Sequence, residues 1–321
     1  MGGEGVLSAG RVSCGRGGCP VGEGVCEAGR MRFGLVGTGY WARETHGPGI
    51  QASSHDLVGV WGRDPEKTSA VGEALGVQTF SSHAALLDAV DAVSYAVPPD
   101  VQAPLAMAAA RAGKHLLLEK PVALDPDVAR ELRDAARGAG VRSVVFFTAR
   151  YTPETRSWLD ELATRGDWRG SWSEWVVANQ RPESPYRHSP WRQREGALWD
   201  IGPHLLATLI AALGPIDGVA ATPGVGDGVH LTLTHRSGAV STATLSLWAP
   251  PAAYTWGMRL WGGTGVSAAP AAVTTAPQAL ATAADELATA VADGTEHPLG
   301  VDLGLQVVQL LADATTQLGR G

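Results

Sequence analysis

The sequence predicts a doubly wound parallel α/β sheet followed by an α+β domain built on a mostly antiparallel open sheet. Three observations carry this reading. Short apolar runs alternate with helical stretches from Met31 to Phe147, a glycine turn follows the first run, and the character of the chain changes past Arg150. Repeated βα units of this length make a parallel sheet with helices on both faces.

The elements follow in order. Arg32 to Val36 is a short strand that leads into the turn Gly37-Thr38-Gly39-Tyr40-Trp41-Ala42. Leu57 to Trp61 is a second strand, followed by a helix over Glu66 to Leu75, a short segment at Val77 to Phe80 and a helix over Ser82 to Val90. Ala92 to Val97 reads as a buried strand closed by Pro98-Pro99. A helix over 102–112, the strand His115 to Leu118, a helix over 126–138 and a strand over Ser143 to Phe147 complete the unit. Beyond Arg150, where nine of the eleven tryptophans lie, Ser171 to Val177 reads as a strand, as does Trp256 to Trp261. Val229 to Leu233 and Ala239 to Leu247 form a hairpin across His235-Arg236-Ser237-Gly238. Most of these tryptophans are expected to pack helices or a subunit face rather than stack on sugar rings. The expected division is a tail over 1–30, a nucleotide-binding domain over 31–148 and a second domain over 149–321.

A chain of 321 residues with net charge −7 and no basic run argues against nucleic acid as a main partner. No stretch reaches the ~18 consecutive apolar residues that span a bilayer, so no membrane partner is expected. Cys14, Cys19 and Cys26 all fall in the glycine-rich first segment, which has neither a signal-peptide core nor a zinc-ligand pattern. That segment is read as a disordered tail, or as an early start with Met31 the true one. A chain otherwise free of cysteine suits a reducing cytoplasm, and no metal site is expected.

The G-x-G-x-x-A turn gains weight from its setting between a strand and a helix at the start of a βαβ unit. Gly37 permits the tight turn, Gly39 lets backbone approach a pyrophosphate, and Ala42 allows close helix packing. The phosphates then meet the free amides of the helix start. At the end of the second strand an acidic residue would bind the ribose 2′-hydroxyl of NAD. Gly62 stands there instead and Arg63 follows, which favours the 2′-phosphate of NADP(H) and leaves NAD(H) as an alternative. Asp64 reads as the N-cap of the helix at Pro65.

Lys120 follows the apolar run at the carboxyl end of a buried strand, the edge where open α/β sheets bind ligands. With Lys67 and Lys114 it is one of only three lysines. A compact ammonium can release a proton, as guanidinium cannot; an ordinary solvated lysine is the alternative. In Asp200-Ile201-Gly202-Pro203-His204, a helix starting near Gly202 puts His204 in its first turn and Asp200 at its cap. The pair would suit proton transfer, with a plain N-cap and a satisfied buried histidine as alternatives.

Gly37-Thr38-Gly39-Tyr40-Trp41, Pro98-Pro99, Ala112-Gly113-Lys114-His115, Glu119-Lys120-Pro121 and Asp200-Ile201-Gly202-Pro203-His204 together resemble the glucose-fructose oxidoreductase, inositol dehydrogenase and MocA (Gfo/Idh/MocA) family. The resemblance runs firmly from Met31 to about Gly214. It implies an N-terminal Rossmann domain and a C-terminal domain whose open sheet often joins subunits, so a homodimer or homotetramer. It also implies NAD(P)-dependent hydride exchange with the carbinol carbon of a sugar, cyclitol or related polyol. Lys120 would polarise the substrate oxygen, His204 would take its proton and Asp200 would orient the pair. Tyr40, Trp41, Val97, Pro98, Glu119, Lys120 and Arg192 join Gly37, Thr38, Gly39 and Arg63 as cofactor contacts. Arg150, Tyr151 and Trp191 join the catalytic three as substrate contacts, and the Lys120-Pro121 peptide is expected to be cis. A non-catalytic nucleotide-sensing regulator and a reductase of a non-sugar carbonyl or imine are the competing functions.

Three departures from the family pattern stand out. Glu195-Gly196-Ala197 replaces a glycine triplet, Gln102 replaces a histidine, and Gly262 to Gln278 is rich in Ala, Thr and Pro where the sheet would continue.

Overall fold

The computed structural model describes residues 29–179 and 181–319. The expectations for the tail and its three cysteines lie outside the described residues. Six strands form the first sheet: β1 (Arg32–Val36), β2 (Asp56–Trp61), β3 (Gln78–Thr79), β4 (Ala92–Tyr95), β5 (His115–Leu118) and β6 (Ser143–Val145). All pair in parallel in the order β3-β2-β1-β4-β5-β6, the doubly wound arrangement that binds dinucleotides at the carboxyl edge. The intervening helices are α1 (Gly47–Ala52), α2 (Pro65–Leu75), α3 (His83–Ala89), α4 (Pro99–Arg111) and α5 (Pro126–Gly138).

Ends of elements move where local chemistry asks for it. Asp64 caps α2, accepting from the amides of Glu66 and Lys67. The fourth helix starts at Pro99 rather than residue 102, because proline's fixed φ suits the first helical position. The fourth strand stops at Tyr95, two residues short of the expected Val97, and Ala96 and Val97 leave the sheet to line a cleft. Likewise β6 ends at Val145, and Phe147 leads into a 3-10 turn at Thr148–Tyr151.

The next elements are α6 (Pro153–Arg165), β7 (Trp168–Val176), α7 (Pro190–Asp200), α8 (Gly202–Leu213), β8 (Ile216–Pro223), β9 (Val229–His235), β10 (Val240–Ser246), β11 (Thr255–Gly262) and β12 (Gly265–Ala268). The second sheet has the order β12-β11-β7-β10-β9-β8; only the β7–β10 pair is parallel. The Ala/Thr/Pro-rich stretch therefore does extend the sheet, for the four residues of β12, before leaving it. Helices α7 and α10 (Val301–Gln317) pack on its inner face. Its outer face, which exposes Trp172, Trp261, Val240 and Val266, has no helix over it among the described residues.

A division of the chain at residue 148 separates the two sheets but not the helices. Helix α9 (Ala276–Asp293) packs on α1, and α10 on α5. The connection between α9 and α10 is stitched to β6, with Val145 N donating to Leu299 O (2.7 Å) and Val301 N to Ser143 Oγ (3.1 Å). One apolar core runs through both parts, which fixes the cleft between the sheets. The helical stretch Pro190–Leu213 is long and apolar enough to cross a membrane by composition, yet Gly196 breaks it (φ 70°, ψ −163°) and it is mostly buried inside the protein.

Candidate active site

Gly37 turns the chain off β1 with φ 135°, and a Cβ there would lie 2.4 Å from the Ala96 carbonyl oxygen. No other residue fits. Gly39 is required for a different reason, since a Cβ there meets nothing within 4 Å. The space it keeps open belongs to a cleft of about 450 Å³, lined in part by Gly37, Thr38, Gly39, Arg63, Val97 and Pro98. A Gly39→Ala protein is therefore expected to melt like wild type while binding nucleotide about tenfold or more weakly, because the methyl meets only the ligand. Equal affinity in a titration by intrinsic tryptophan fluorescence would contradict this use of the glycine. Gly62 sits close under Thr38, where a Cβ would be 2.5 Å from Thr38 Cγ2. Arg63 at the cleft wall has no carboxylate partner among the described residues.

Tyr40 and Trp41 do not line this cleft. Their helix opens into a π turn over Ala42–His46, closed by the Gly47 amide on Ala42 O. The wider turn carries the buried His46 inward, with Nδ1 2.8 Å from Ser94 Oγ and Nε2 3.1 Å from Glu119 Oε1. The Trp41 indole N–H donates to the same Glu119 oxygen at 2.6 Å. Glu119 is thus a structural hub rather than an open cofactor contact. Gln102, fully buried, brackets its peptide: Nε2 donates to Glu119 O (2.8 Å) and Oε1 accepts from Glu119 N (2.7 Å). The residue that departs from the family pattern holds the segment entering Lys120. His46 and Gln102 were both missed as site-building residues, since their roles depend on partners 73 and 17 positions away.

The Lys120-Pro121 peptide is cis. The Lys120 ammonium donates to Asp200 O (2.7 Å) and Oδ1 (2.9 Å), while Arg192 Nε donates to Asp200 Oδ2 at 2.9 Å. Asp200 does not cap α8, as its position in the sequence suggested. It is the last residue of α7, and its carboxylate is drawn away by two cations; Ile201 precedes α8 without a side-chain cap. Burial works to raise the Asp200 pKa, but the charges and hydrogen bonds of Lys120 and Arg192 outweigh it and hold the carboxyl well below the usual range.

His204, in the first turn of α8, is partly exposed, and its imidazole makes no hydrogen bond among the described residues. It lies within electrostatic reach of Lys120, Asp200 and Arg192. The protein packed around the ring desolvates it despite its partial exposure; this first, then the Lys120 charge, pushes its pKa down to about 3, against the pull of Asp200. The imidazole is therefore neutral across the physiological range. Its proton-accepting form is lost only as pH falls through that lowered value, so the acidic limb of an oxidation profile should lie below about pH 5 rather than near 6.5. A histidine NMR titration midpoint for His204 near 6.5 would contradict this.

Three expected substrate contacts are placed otherwise. Tyr151 is fully buried, with its hydroxyl donating to Val145 O (3.1 Å), so it has no face for a substrate. Arg150 spends Nη1 on Ala207 O (2.7 Å), tying the 3-10 turn to α8. Trp191 is nearly buried, with the Arg192 guanidinium 4.6 Å from its ring centre. Arg192, expected at the cofactor, is committed to Asp200. The residues brought together are Lys120, Asp200 and Arg192, with His204 beside them.

A glycine-turn cleft and a charged cluster, both at the carboxyl edge of a 3-2-1-4-5-6 parallel sheet, define a dinucleotide-binding protein with a second sheet on the substrate side. Residues 31–147 match the family model described as Gfo/Idh/MocA "Oxidoreductase family, NAD-binding Rossmann fold". D-xylose 1-dehydrogenase (NADP(+)) 2 of Haloferax volcanii is 34% identical over 137 residues, 42% of each chain. The dTDP-3,4-didehydro-2,6-dideoxy-alpha-D-glucose 3-reductase of Streptomyces antibioticus is 30% identical over 191 residues, 58% of each. These sequence matches span about half the length of the curated relatives. The whole fold is shared more widely. The WlbA dehydrogenase from Bordetella pertussis, solved with NADH and UDP-GlcNAcA, superposes with TM-score 0.78 at 22% identity, over 90% of this chain and 95% of that one.

Proposed function

We propose that the protein is an NAD(P)-dependent oxidoreductase that exchanges hydride between a nicotinamide ring and the carbinol carbon of a sugar, cyclitol or related polyol. The observation that carries this reading is the Lys120 ammonium, held by Asp200 at the carboxyl end of β5 with the neutral His204 imidazole beside it. A nicotinamide cofactor held along the glycine-turn cleft by Gly37, Thr38 and Gly39 would supply the hydride acceptor. The substrate hydroxyl must then lose its proton as the carbonyl forms. Lys120 stabilises charge on that oxygen and His204 accepts the proton. The relatives named for xylose and for a deoxyglucose derivative support a sugar-like substrate. A panel of polyols and aldoses with NADP⁺ and NAD⁺, followed at the reduced-nicotinamide absorbance, tests the reading. Turnover of at least one member is expected, and none with any member would count against it.

Arg63 at the cleft, with no carboxylate partner among the described residues and no acid at Gly62, supports NADP(H) as the preferred cofactor. The outer face of the second sheet, which no helix covers among the described residues, supports a homo-oligomer. Trp172 and Trp261 stack there at 6.1 Å while remaining 45% and 37% exposed, with Val240 and Val266 beside them. Large apolar groups on a helix-free face suit a subunit contact. Trp172→Glu should convert an oligomer to a smaller species by light scattering. A wild-type monomer would refute the assignment of this face.

A further inference from the structure

Arg192 and Asp200 are eight residues apart on α7, and a regular helix would separate them by about 12 Å along its axis. They meet because the helix breaks at Gly196 (φ 70°, ψ −163°), which folds the Asp200 turn back toward the start of α7. The Asp200 carboxylate is then split between two cations, Oδ1 to Lys120 and Oδ2 to Arg192, both at 2.9 Å. A carboxylate held at one oxygen alone can swing about its broad χ2 well; one held at both cannot. The guanidinium is itself immobilised, 4.3 Å from the centre of the Tyr186 ring and 4.6 Å from that of Trp191. Tyr186 in turn lies edge-on to Tyr40 (6.0 Å) and Trp41 (6.5 Å), on the helix that follows the glycine turn.

We infer that Arg192 is a positioning residue whose stacked guanidinium fixes the Asp200 carboxylate, so that the Lys120 ammonium stays aimed into the site, with Tyr186 joining this clamp to the glycine-turn helix. The inference rests on the oxidoreductase reading for its kinetic consequences, but its geometry can be tested without a substrate. A planar fork packed between two rings is a role that lysine cannot fill. The charged and titratable groups around the clamp are Lys120, Asp200 and His204, with Glu119 and Tyr40 near Tyr186.

Arg192→Met should leave the NADP⁺ dissociation constant within about twofold and lower kcat by about tenfold or more, with a smaller change in KM. The acidic limb of kcat/KM should move to higher pH. Losing the guanidinium lets both Asp200 and His204 hold protons more tightly, and each proton removes the active form. Arg192→Lys should recover little. Tyr186→Ala, which keeps the ion pairs but removes one stacking face, should change kcat in the same direction by a smaller factor. A tenfold loss of NADP⁺ affinity with kcat intact would make Arg192 a cofactor contact and overturn the inference. A lowered melting temperature with an unmoved acidic limb would reduce it to a structural residue. If wild type turns over nothing in the panel, the oxidoreductase reading fails by itself. A crystal structure of Arg192→Met then decides the clamp: Asp200 rotated off Lys120 is expected, and an unchanged pair would refute it.

Discussion

Lys120→Met and His204→Ala are each expected to lower turnover by roughly 10²–10⁴-fold while nucleotide affinity stays within about twofold. Neither side chain lines the glycine-turn cleft, so neither holds the phosphates. Both stand where the reacting oxygen would lie, one as a fixed cation and one as a neutral acceptor. Stopped-flow turnover paired with a fluorescence binding titration separates the two effects, and losses below about tenfold would argue for structural roles. Asp200 behaves differently from both. It is 8% exposed between Lys120 and Arg192, themselves 9% and 19% exposed, so replacing it strands two nearly buried cations. Breaking such a pair costs about 3–5 kcal/mol. Asp200→Ala should therefore lower the unfolding midpoint in urea as well as activity, an effect beyond simple orientation of its neighbours.

Arg63→Ala is expected to weaken NADP⁺ binding by about tenfold or more and to leave NAD⁺ binding unchanged. A phosphate-paired guanidinium is a charge-assisted, often bidentate contact, worth far more than an ordinary hydrogen bond. The local structure gives the contrast its sharpness. Asp64, also on the cleft wall, is engaged in capping α2 and pairing with Lys67, and Gly62 packs beneath Thr38, so the residue at the end of β2 offers the ribose no carboxylate. Calorimetric titration of both nucleotides into both proteins supplies the four constants. An unchanged NADP⁺ constant would remove Arg63 from the site.

Much of the first sheet is legible in the sequence because a parallel strand buried on both faces writes itself as a continuous apolar run, as His115 to Leu118 does. The helix over 126–138 announces itself by Asp125 as cap and Pro126 at its first position. Strand β8 escapes notice for the opposite reason: it is a sheet edge reading Ile-Asp-Gly-Val-Ala-Ala-Thr-Pro, in which Asp, Gly, Ala and Pro, all depleted in strands, break up any apolar run. The site was legible as residue types and not as roles. Local spacing makes Asp200 a helix cap, and the family resemblance makes Arg192 a cofactor contact; the ion pairs that redefine both bring in Lys120, which lies 80 residues from Asp200. Tyr151 follows Arg150 at a domain junction and looks available, yet burial against Phe146 and the Val145 carbonyl removes it. Contacts made across the fold decide such cases, and no local pattern encodes them.

Direct hydride exchange at the Lys120–Asp200–His204 cluster is the claim on which the rest depends. NADPH carrying deuterium at the transferable C4 position, incubated with the carbonyl partner of a polyol that the protein oxidises, tests it most directly by mass spectrometry of the product. Deuterium on the carbinol carbon from wild type, with none from Lys120→Met at equal cofactor occupancy, is the predicted result. Tight nucleotide binding with the label retained on the cofactor, whatever carbonyl is offered, would contradict the claim and favour a protein that senses the nucleotide without using it.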